Sequence, residues 1–178
     1  MRVAIISVLL VATPGFAAGQ EPSVGPVIDS AGATFEIPAP DFTIPVGLDL
    51  SLAFEMARPS ATPSEPNIVL DNVARFLNMH ARAGLPRSQV RAAVVVHGGA
   101  AWEMLGNEAY REQHGVDNPN VALIRALTDA GVRVIVCGQS VMARGVPRAG
   151  LADGVQVALS AMTAFLVLQE EGFKANPW

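Results

Sequence analysis

The chain has 178 residues, a formal net charge of −4 and 51% hydrophobic residues. The negative balance argues against nucleic acid as a partner, because nucleic-acid-binding proteins need clustered positive charge. One cysteine leaves no internal disulfide, and the three histidines form no HxxH pair, so the sequence predicts no structural metal site.

Residues 1–19 have the pattern of a cleavable secretory signal peptide. Arg2 supplies the basic start, residues 3–12 form a short apolar core, and the small residues Ala17 and Gly19 suit signal peptidase. The predicted mature chain has about 159 residues, a net charge of about −5 and no membrane span, and we expect it to be periplasmic or secreted. The alternatives are cleavage after Ala18 and an uncleaved membrane anchor.

Residues 20–47 form a predicted N-terminal arm rich in Pro and Gly. Short extended pieces at 26–28 and 33–37 are separated by Ser30, Ala31 and Gly32, which favours a short hairpin or an extended arm lying over the domain. The same composition also fits a disordered leader, and the sequence leaves both interpretations open.

Residues 48–178 form one predicted α/β domain, because apolar runs typical of strands alternate with helical periodicity. Predicted strands cover 48–56, 91–97, 133–137 and 155–159, and predicted helices cover 68–83, 120–130 and 161–171. Asn67 and Ser160 are the expected helix N-caps. Only short helical pieces are predicted at 102–105 and 140–143, and the tail is expected to pack through Phe173 and Trp178.

This order predicts a mostly parallel sheet flanked by helices on both faces, a three-layer architecture. Ligands of such sheets bind beyond the carboxyl ends of the strands. Three segments converge at that edge, namely residues 97–99, residues 137–140 and Ser160. The functional site is therefore predicted there.

Cys137 is the first candidate functional residue, because it ends a predicted buried strand. As a thiolate it can attack a disulfide, accept a sulfane sulfur or hold a persulfide. The backbone N–H groups of residues 138–140 and the charge of Arg144 would favour that ionised form. The alternative is a buried cysteine that serves as a small core residue, which is common for this residue type.

His97 ends the neighbouring strand and precedes Gly98 and Gly99. We expect it either to act as a base for Cys137 or to contact an anion; the alternative is a hydrogen-bonded histidine at the sheet edge. The HGG run also occurs in esterase oxyanion loops, but no GxSxG, GxGxxG, Walker A or HExxH motif accompanies it. Serine acyl hydrolysis, nucleotide binding and zincin chemistry therefore lack support, and no cofactor is predicted.

The domain resembles the DsrE/DsrF-like family through the segments VVVHGGA, NPNVALIRALTDAGVRVIVCGQS, ARGV and GVQVALSAMTAFLVLQEEGFKANPW. These small α/β proteins include sulfur-relay subunits, in which a persulfide-carrying cysteine follows the third strand and precedes Arg-Gly-Val. The resemblance runs from about residue 48 to 178 and implies that role for Cys137. It also implies a homo-oligomer, a trimer or hexamer, whose partner is a sulfur-carrier protein or a small sulfane-sulfur donor.

Three hypotheses follow. The first is an exported sulfur carrier in which Cys137 accepts and donates a sulfane sulfur by thiol exchange. The residues expected to bind the ligand around it are Gly98, Gly99, Gly138, Gln139, Ser140 and Arg144. The second is a noncatalytic oligomeric module that binds a small ligand or partner in the same cleft, and the third is a purely structural, oligomer-forming subunit. Whether the protein is an enzyme stays open.

Overall fold

The computed structural model describes residues 20–176, so the predicted signal peptide and Trp178 lie outside the described residues. A five-stranded sheet with the strand order β4-β3-β2-β1-β5 forms its centre. The strands are β1 (Leu50–Met56), β2 (Val90–Val96), β3 (Arg133–Cys137), β4 (Val155–Ala158) and β5 (Lys174–Ala175). The helices are α1 (Ile68–Arg82), α2 (Asn107–His114), α3 (Val121–Asp129), α4 (Gly138–Arg144) and α5 (Ala161–Glu170). Short 3-10 helices cover Arg87–Gln89, Gly98–Met104 and Arg148–Gly150.

All paired strands are parallel, and helices cover both faces of the sheet. Side chains alternate between the faces along each strand. On one face, α1 and α3 enclose the larger apolar core with strand residues such as Val94 and Val134. On the other face, α5 packs through Ala164 and Leu168 against strand residues such as Val95. The predicted parallel three-layer architecture is confirmed.

The two predicted helix N-caps are confirmed. The Asn67 side chain accepts the N–H of Val69 at 3.0 Å, and the Ser160 hydroxyl accepts the N–H of Thr163 at 3.0 Å. Each bond satisfies a backbone donor that the first helical turn leaves free, which stabilises a helix by about 1 kcal/mol. Both caps lie at the carboxyl edge of the sheet, where the candidate site also lies.

The region between β2 and α3 is more regular than its sequence predicts. It contains the 3-10 helix Gly98–Met104 and then α2, whose sequence NEAYREQH buries only Tyr110. A helix without an apolar stripe gives no periodic signal, so the sequence could not reveal α2. The two-residue strand β5 was also not predicted, although Phe173 before it is buried as expected.

The N-terminal arm lies over α1. Ser23 and Thr34 form an antiparallel bridge, and Ile28 is buried in the larger core. The fully buried Asn78 of α1 holds the arm, because its Oδ1 accepts two backbone N–H groups and its Nδ2 donates to three backbone carbonyls. The arm residues in these bonds are Val27, Ile28, Ala31 and Gly32.

Candidate functional site

The candidate site lies at the carboxyl end of β3, where Cys137 is the last strand residue and Gly138 begins α4. Cys137 pairs in register with Ala158, the last residue of β4, and only 5% of it is exposed. A Cβ at position 138 would lie 2.6 Å from the carbonyl oxygen of Ala158. Glycine therefore allows the start of α4 to press against the end of β4.

Hydrogen bonds stabilise the ionised form of the Cys137 thiol. Burial opposes ionisation, but hydrogen bonds to the sulfur from the Ser140 side chain and from the backbones of Ser140, Ala161 and Gln139 outweigh it. Together they lower the pKa of Cys137 from its ordinary 9.0. Since Gln139 and Ala161 lie in the first turns of α4 and α5, two helix starts converge on one sulfur. Such surroundings favour the thiolate, which is the nucleophilic form.

Ser140 links the thiol to the end of β2. Its Oγ accepts the backbone N–H of Gly98 at 3.0 Å. Because the oxygen receives this bond, the hydroxyl hydrogen is available for the sulfur of Cys137. Gly98 has a φ of +58°, and a Cβ there would lie 2.8 Å from the carbonyl oxygen of Ala57. Only glycine fits this backbone position without strain.

His97 lies beside Cys137 in the sheet. The register pairs Val96 with Val136, so His97 comes opposite Cys137 one residue further along, and both side chains belong to the α5 face. The His97 Nε2 is 2.8 Å from Oε1 of Glu55. The structure thus gives His97 a carboxylate partner, while the hydrogen bonds that lower the Cys137 pKa come from other residues.

Glu55 belongs to the candidate site through its contact with His97, and the sequence did not identify it. It lies next to the last residue of β1, on the same sheet face as His97, and it is exposed. The sequence signal for Glu55 is weak, because a single charged residue in an alternating strand normally marks the side that faces solvent. Its place one residue before the carboxyl end of the strand is the feature that could have identified it.

Of the other predicted site residues, some lie next to the Cys137 thiol and others lie away from it. Gln139 lies beside the thiol and its Nε2 reaches the carbonyl of Leu159 at 3.4 Å. Gly99 lies against Pro59, in the 3-10 helix that follows β2. Arg144 is exposed in the last turn of α4, at the end of that helix away from Cys137. The structure therefore groups Gly98, Gly138, Gln139 and Ser140 around the sulfur.

An open pocket of about 480 Å³ adjoins the site beyond the carboxyl end of β1. Glu55 forms one side of it, and the start of α1 with Asn67 and Ile68 forms another. A buried carboxylate fixes its loop, since Glu103 accepts the backbone N–H of Ser60 and the Nδ2 of Asn67, both at 2.7 Å. The pocket lies where parallel sheets commonly bind small ligands.

Within residues 20–176, no group of three or more His, Cys, Asp or Glu side chains is arranged to hold a metal ion. Within the same range, none of the helices combines the length and the apolar character needed to cross a membrane.

Comparison with known proteins identifies the family of the chain. No curated protein matches the chain significantly. Among solved structures, a protein of unknown function from Methanobacterium thermoautotrophicum, MTH1491, is similar with a TM-score of 0.52 and 22% identity, over 72% of this chain and 98% of that one. That likeness concerns the fold alone. The model of the DsrE/DsrF-like family matches residues 52–175, which include all five strands except the first two residues of β1. The chain therefore belongs to the DsrE/DsrF-like family.

Proposed function

We propose that this protein is an exported, thiol-based sulfur carrier in which Cys137 holds a persulfide. The observation that carries the proposal is the convergence of the Ser140 hydroxyl and the starts of α4 and α5 on one sulfur. These donors favour the thiolate of Cys137, which is the form that attacks a sulfane sulfur. Membership of a family with sulfur-relay members supports the same chemistry.

Sulfur transfer then takes two exchange steps. In loading, the Cys137 thiolate attacks the outer sulfur of a persulfide R–S–SH. A new S–S bond forms at Cys137, the old one breaks, and the thiolate R–S⁻ leaves with the electron pair and takes up a proton. In unloading, an acceptor thiolate attacks the outer sulfur on Cys137, which regenerates the Cys137 thiolate. Neither step changes the total oxidation state, so no external oxidant is required.

His97 and Glu55 are suited to manage the proton. The carboxylate orients the imidazole through the 2.8 Å contact, and His97 lies on the thiol's side of the sheet. In this proposal His97 gives a proton to the leaving thiolate and takes one from the incoming thiol. Loss of Glu55 would then slow loading without removing the sulfur carrier itself.

The partners we propose are a small sulfane-sulfur donor and a thiol-bearing acceptor, which includes a sulfur-carrier protein. The predicted signal peptide would place the exchange in the periplasm or outside the cell. Amino-terminal sequencing of the protein from the periplasmic fraction tests this part, with Gln20 as the expected first residue. A protein that keeps Met1 and stays in the cytoplasm would contradict it.

The central experiment is sulfur loading followed by intact mass. Wild-type protein exposed to polysulfide should gain the mass of one sulfur, which dithiothreitol should remove. Cys137→Ser should gain none, and Glu55→Gln should load more slowly to the same final mass. A folded wild-type protein whose thiol takes up no sulfur would overturn the proposal.

The alternative is a noncatalytic module that binds a small ligand. The pocket beside Glu55 favours it, since it lies at the carboxyl edge without needing the thiol. In that case ligand binding would be equal in wild type and Cys137→Ser, and the thiol would stay inert towards polysulfide. Loading of Cys137 alone, with no binding in the pocket, would instead favour the carrier.

A further inference from the structure

The pocket beyond the carboxyl end of β1 carries two charged side chains that lack partners. Arg58 and Glu65 both line this pocket, and both are exposed. Within residues 20–176, the Arg58 guanidinium and the Glu65 carboxylate form no ion pair and no hydrogen bond, either with each other or with another residue. Two opposite charges that line one pocket without pairing are suited to a ligand that carries both charges.

Uncharged hydrogen-bonding groups of the same pocket also lack partners. The first N–H groups of a helix have no acceptor within the helix. Asn67 accepts the N–H groups of the three residues after Ile68, which leaves the Ile68 N–H at the edge of the pocket. The Oγ of Ser60, another lining residue, is buried without a hydrogen-bond partner in the described chain. An N–H at a helix start favours a negative ligand group, and a hydroxyl can bond to either charge.

Buried polar side chains hold the pocket in shape. Glu103, which is 3% exposed, binds both the Ser60 backbone and the Asn67 side chain. The Asn67 Nδ2 also donates to the carbonyl of Arg58 at 3.0 Å, and the Asn67 N–H donates to Oδ1 of the fully buried Asn120 at 2.7 Å. These bonds join the loop that carries Arg58 to the start of α1. The binding groups are therefore in place before a ligand arrives, which reduces the entropy lost on binding.

The pocket also adjoins the thiol. Neighbouring strands are about 4.8 Å apart, so Cys137 on β3 lies two strands, roughly 10 Å, from the end of β1. Glu55 lines the pocket, and its carboxylate already reaches His97 on β2, which comes opposite Cys137. A small ligand beside Glu55 therefore has only about one strand spacing, roughly 5 Å, left to the sulfur.

We infer that this pocket binds the amino-acid head of a low-molecular-weight thiol, meaning its ammonium and carboxylate groups, and presents the sulfur to Cys137. Arg58 and the Ile68 N–H bind the carboxylate, and Glu65 binds the ammonium group. The volume of about 480 Å³ lies within the range of about 300–1,000 Å³ that small-ligand sites have.

This inference names the class of the sulfur donor. In the loading step, R of R–S–SH is an amino acid or a short peptide with such a head, and the leaving R–S⁻ is its thiolate. Inorganic polysulfide has no ammonium group for Glu65 and gains nothing from the pocket. The role as sulfur donor rests on the proposed function, whereas binding of the head does not.

The first test measures binding without any sulfur transfer, by isothermal titration calorimetry of Cys137→Ser. S-methylcysteine, which has the amino-acid head and no thiol, should bind. S-methylcysteamine lacks the carboxylate and 3-(methylthio)propanoate lacks the ammonium group, so each should bind roughly tenfold more weakly or less, because each loses a charge-assisted hydrogen bond.

S-methylglutathione repeats the measurement with a short peptide. Tighter binding of S-methylcysteine identifies R as a single amino acid, and tighter binding of S-methylglutathione identifies R as a peptide. If neither compound binds, or if the single-charge analogues bind as tightly as S-methylcysteine, the inference is wrong.

Matched substitutions test the position of the site. Arg58→Ala and Glu65→Gln should each weaken the binding of S-methylcysteine roughly tenfold or more. Arg144→Ala and Glu170→Gln change exposed residues of the same types outside the pocket and should leave the affinity unchanged. Thermal melting checks that each variant is folded. Wild-type affinity in either folded pocket variant would contradict the site as defined.

The second test times the sulfur loading of Cys137 by intact mass, with cysteine persulfide and with inorganic polysulfide as donors. Arg58→Ala should need roughly tenfold more cysteine persulfide for half of the maximal loading rate. With polysulfide it should load at the wild-type rate. Equal slowing with both donors would show that Arg58 acts on the thiol rather than on the head, which would overturn the inference.

The pocket and the sulfur carrier can fail separately. If Cys137→Ser binds the head but the wild-type thiol takes up no sulfur, the sulfur-carrier proposal fails and the pocket stands. If polysulfide loads Cys137 but no head compound binds, the carrier stands and the inference about the pocket fails.

Discussion

At the scale of single residues, the reactivity of the candidate site depends on hydrogen-bond donors that offset the cost of burying a charged sulfur. A cysteine that is 95% buried in apolar surroundings would ionise poorly, because a charge loses its hydration there. The Ser140 hydroxyl and three backbone groups reverse that effect and lower the pKa of Cys137. The hydroxyl is held in place by the Gly98 N–H, so the end of β2 contributes to the reactivity of a thiol on β3.

Replacing Ser140 by alanine should raise the thiol pKa. The substitution removes the leading hydrogen bond to the sulfur, and hydrogen bonds to charged groups contribute about 1.5–3 kcal/mol. Alkylation of Cys137 near pH 7 should become roughly tenfold slower or more, since the thiolate fraction falls. The pH dependence of alkylation is the measurement, and Ser140→Thr, which keeps the hydroxyl, is the control. An unchanged pH profile in Ser140→Ala would show that the hydroxyl does not tune the thiol.

The part of the site that could be predicted consists of residues with recognisable side chains at strand ends. Cys137 ends β3 and Ser140 lies three residues further on, so the sequence showed both their position and their chemistry. Ala161 could not be predicted, because it acts through its backbone N–H, which every residue type except proline carries. The pairing of His97 with Glu55 was missed for a different reason, since neighbouring strands that are 42 residues apart in the chain reveal their register only in the folded sheet.

At the scale of elements, the arm and α1 form one unit. Asn78 bonds backbone groups of the arm through both its amide oxygen and its amide nitrogen. Arg82 donates further hydrogen bonds from its guanidinium to the carbonyls of Ser23, Val24 and Gly25. The sequence could not choose between a packed arm and a disordered leader. The arm is held by Asn78, and an asparagine inside a helix is normally expected on the surface, so the sequence did not indicate its role.

Replacing Asn78 by alanine should destabilise the domain by about 3–5 kcal/mol, because several buried backbone groups of the arm lose their partners at about 1–3 kcal/mol each. Urea unfolding measures the loss, and limited proteolysis should cut the released arm within residues 20–47. Arg75→Ala on the same helix is the control, because its exposed ion pair with Asp71 should contribute less than about 1 kcal/mol. A variant with wild-type stability and a protected arm would refute this role.

At the scale of the whole molecule, the alternation of strands and helices was enough to predict a parallel sheet. A helix between two strands of one sheet usually returns the chain to the edge where the first strand began, so the next strand runs parallel to it, and β1 to β4 follow from the pattern. The position of β5 beside β1 did not follow, because two residues carry no periodicity. Within residues 20–176, α5 is the helix that packs on the sheet face to which Ala53, Val95 and Ile135 belong.

The lowered pKa of Cys137 also makes the stability of the whole domain depend on pH. The folded thiol releases its proton below the ordinary 9.0, so between the folded pKa and 9.0 the unfolded chain binds more protons than the folded one. The free energy of unfolding should therefore rise with pH across this window, by at most about 1.4 kcal/mol per pH unit. The contribution is complete above 9.0 and disappears as the pH falls through the folded pKa. Urea unfolding of wild type and Cys137→Ser, from pH 6 to 9, measures the difference, because the other titrating groups cancel between the two proteins. Parallel stability curves for the two would mean that folding does not stabilise the thiolate, and the sulfur would then be an ordinary buried cysteine.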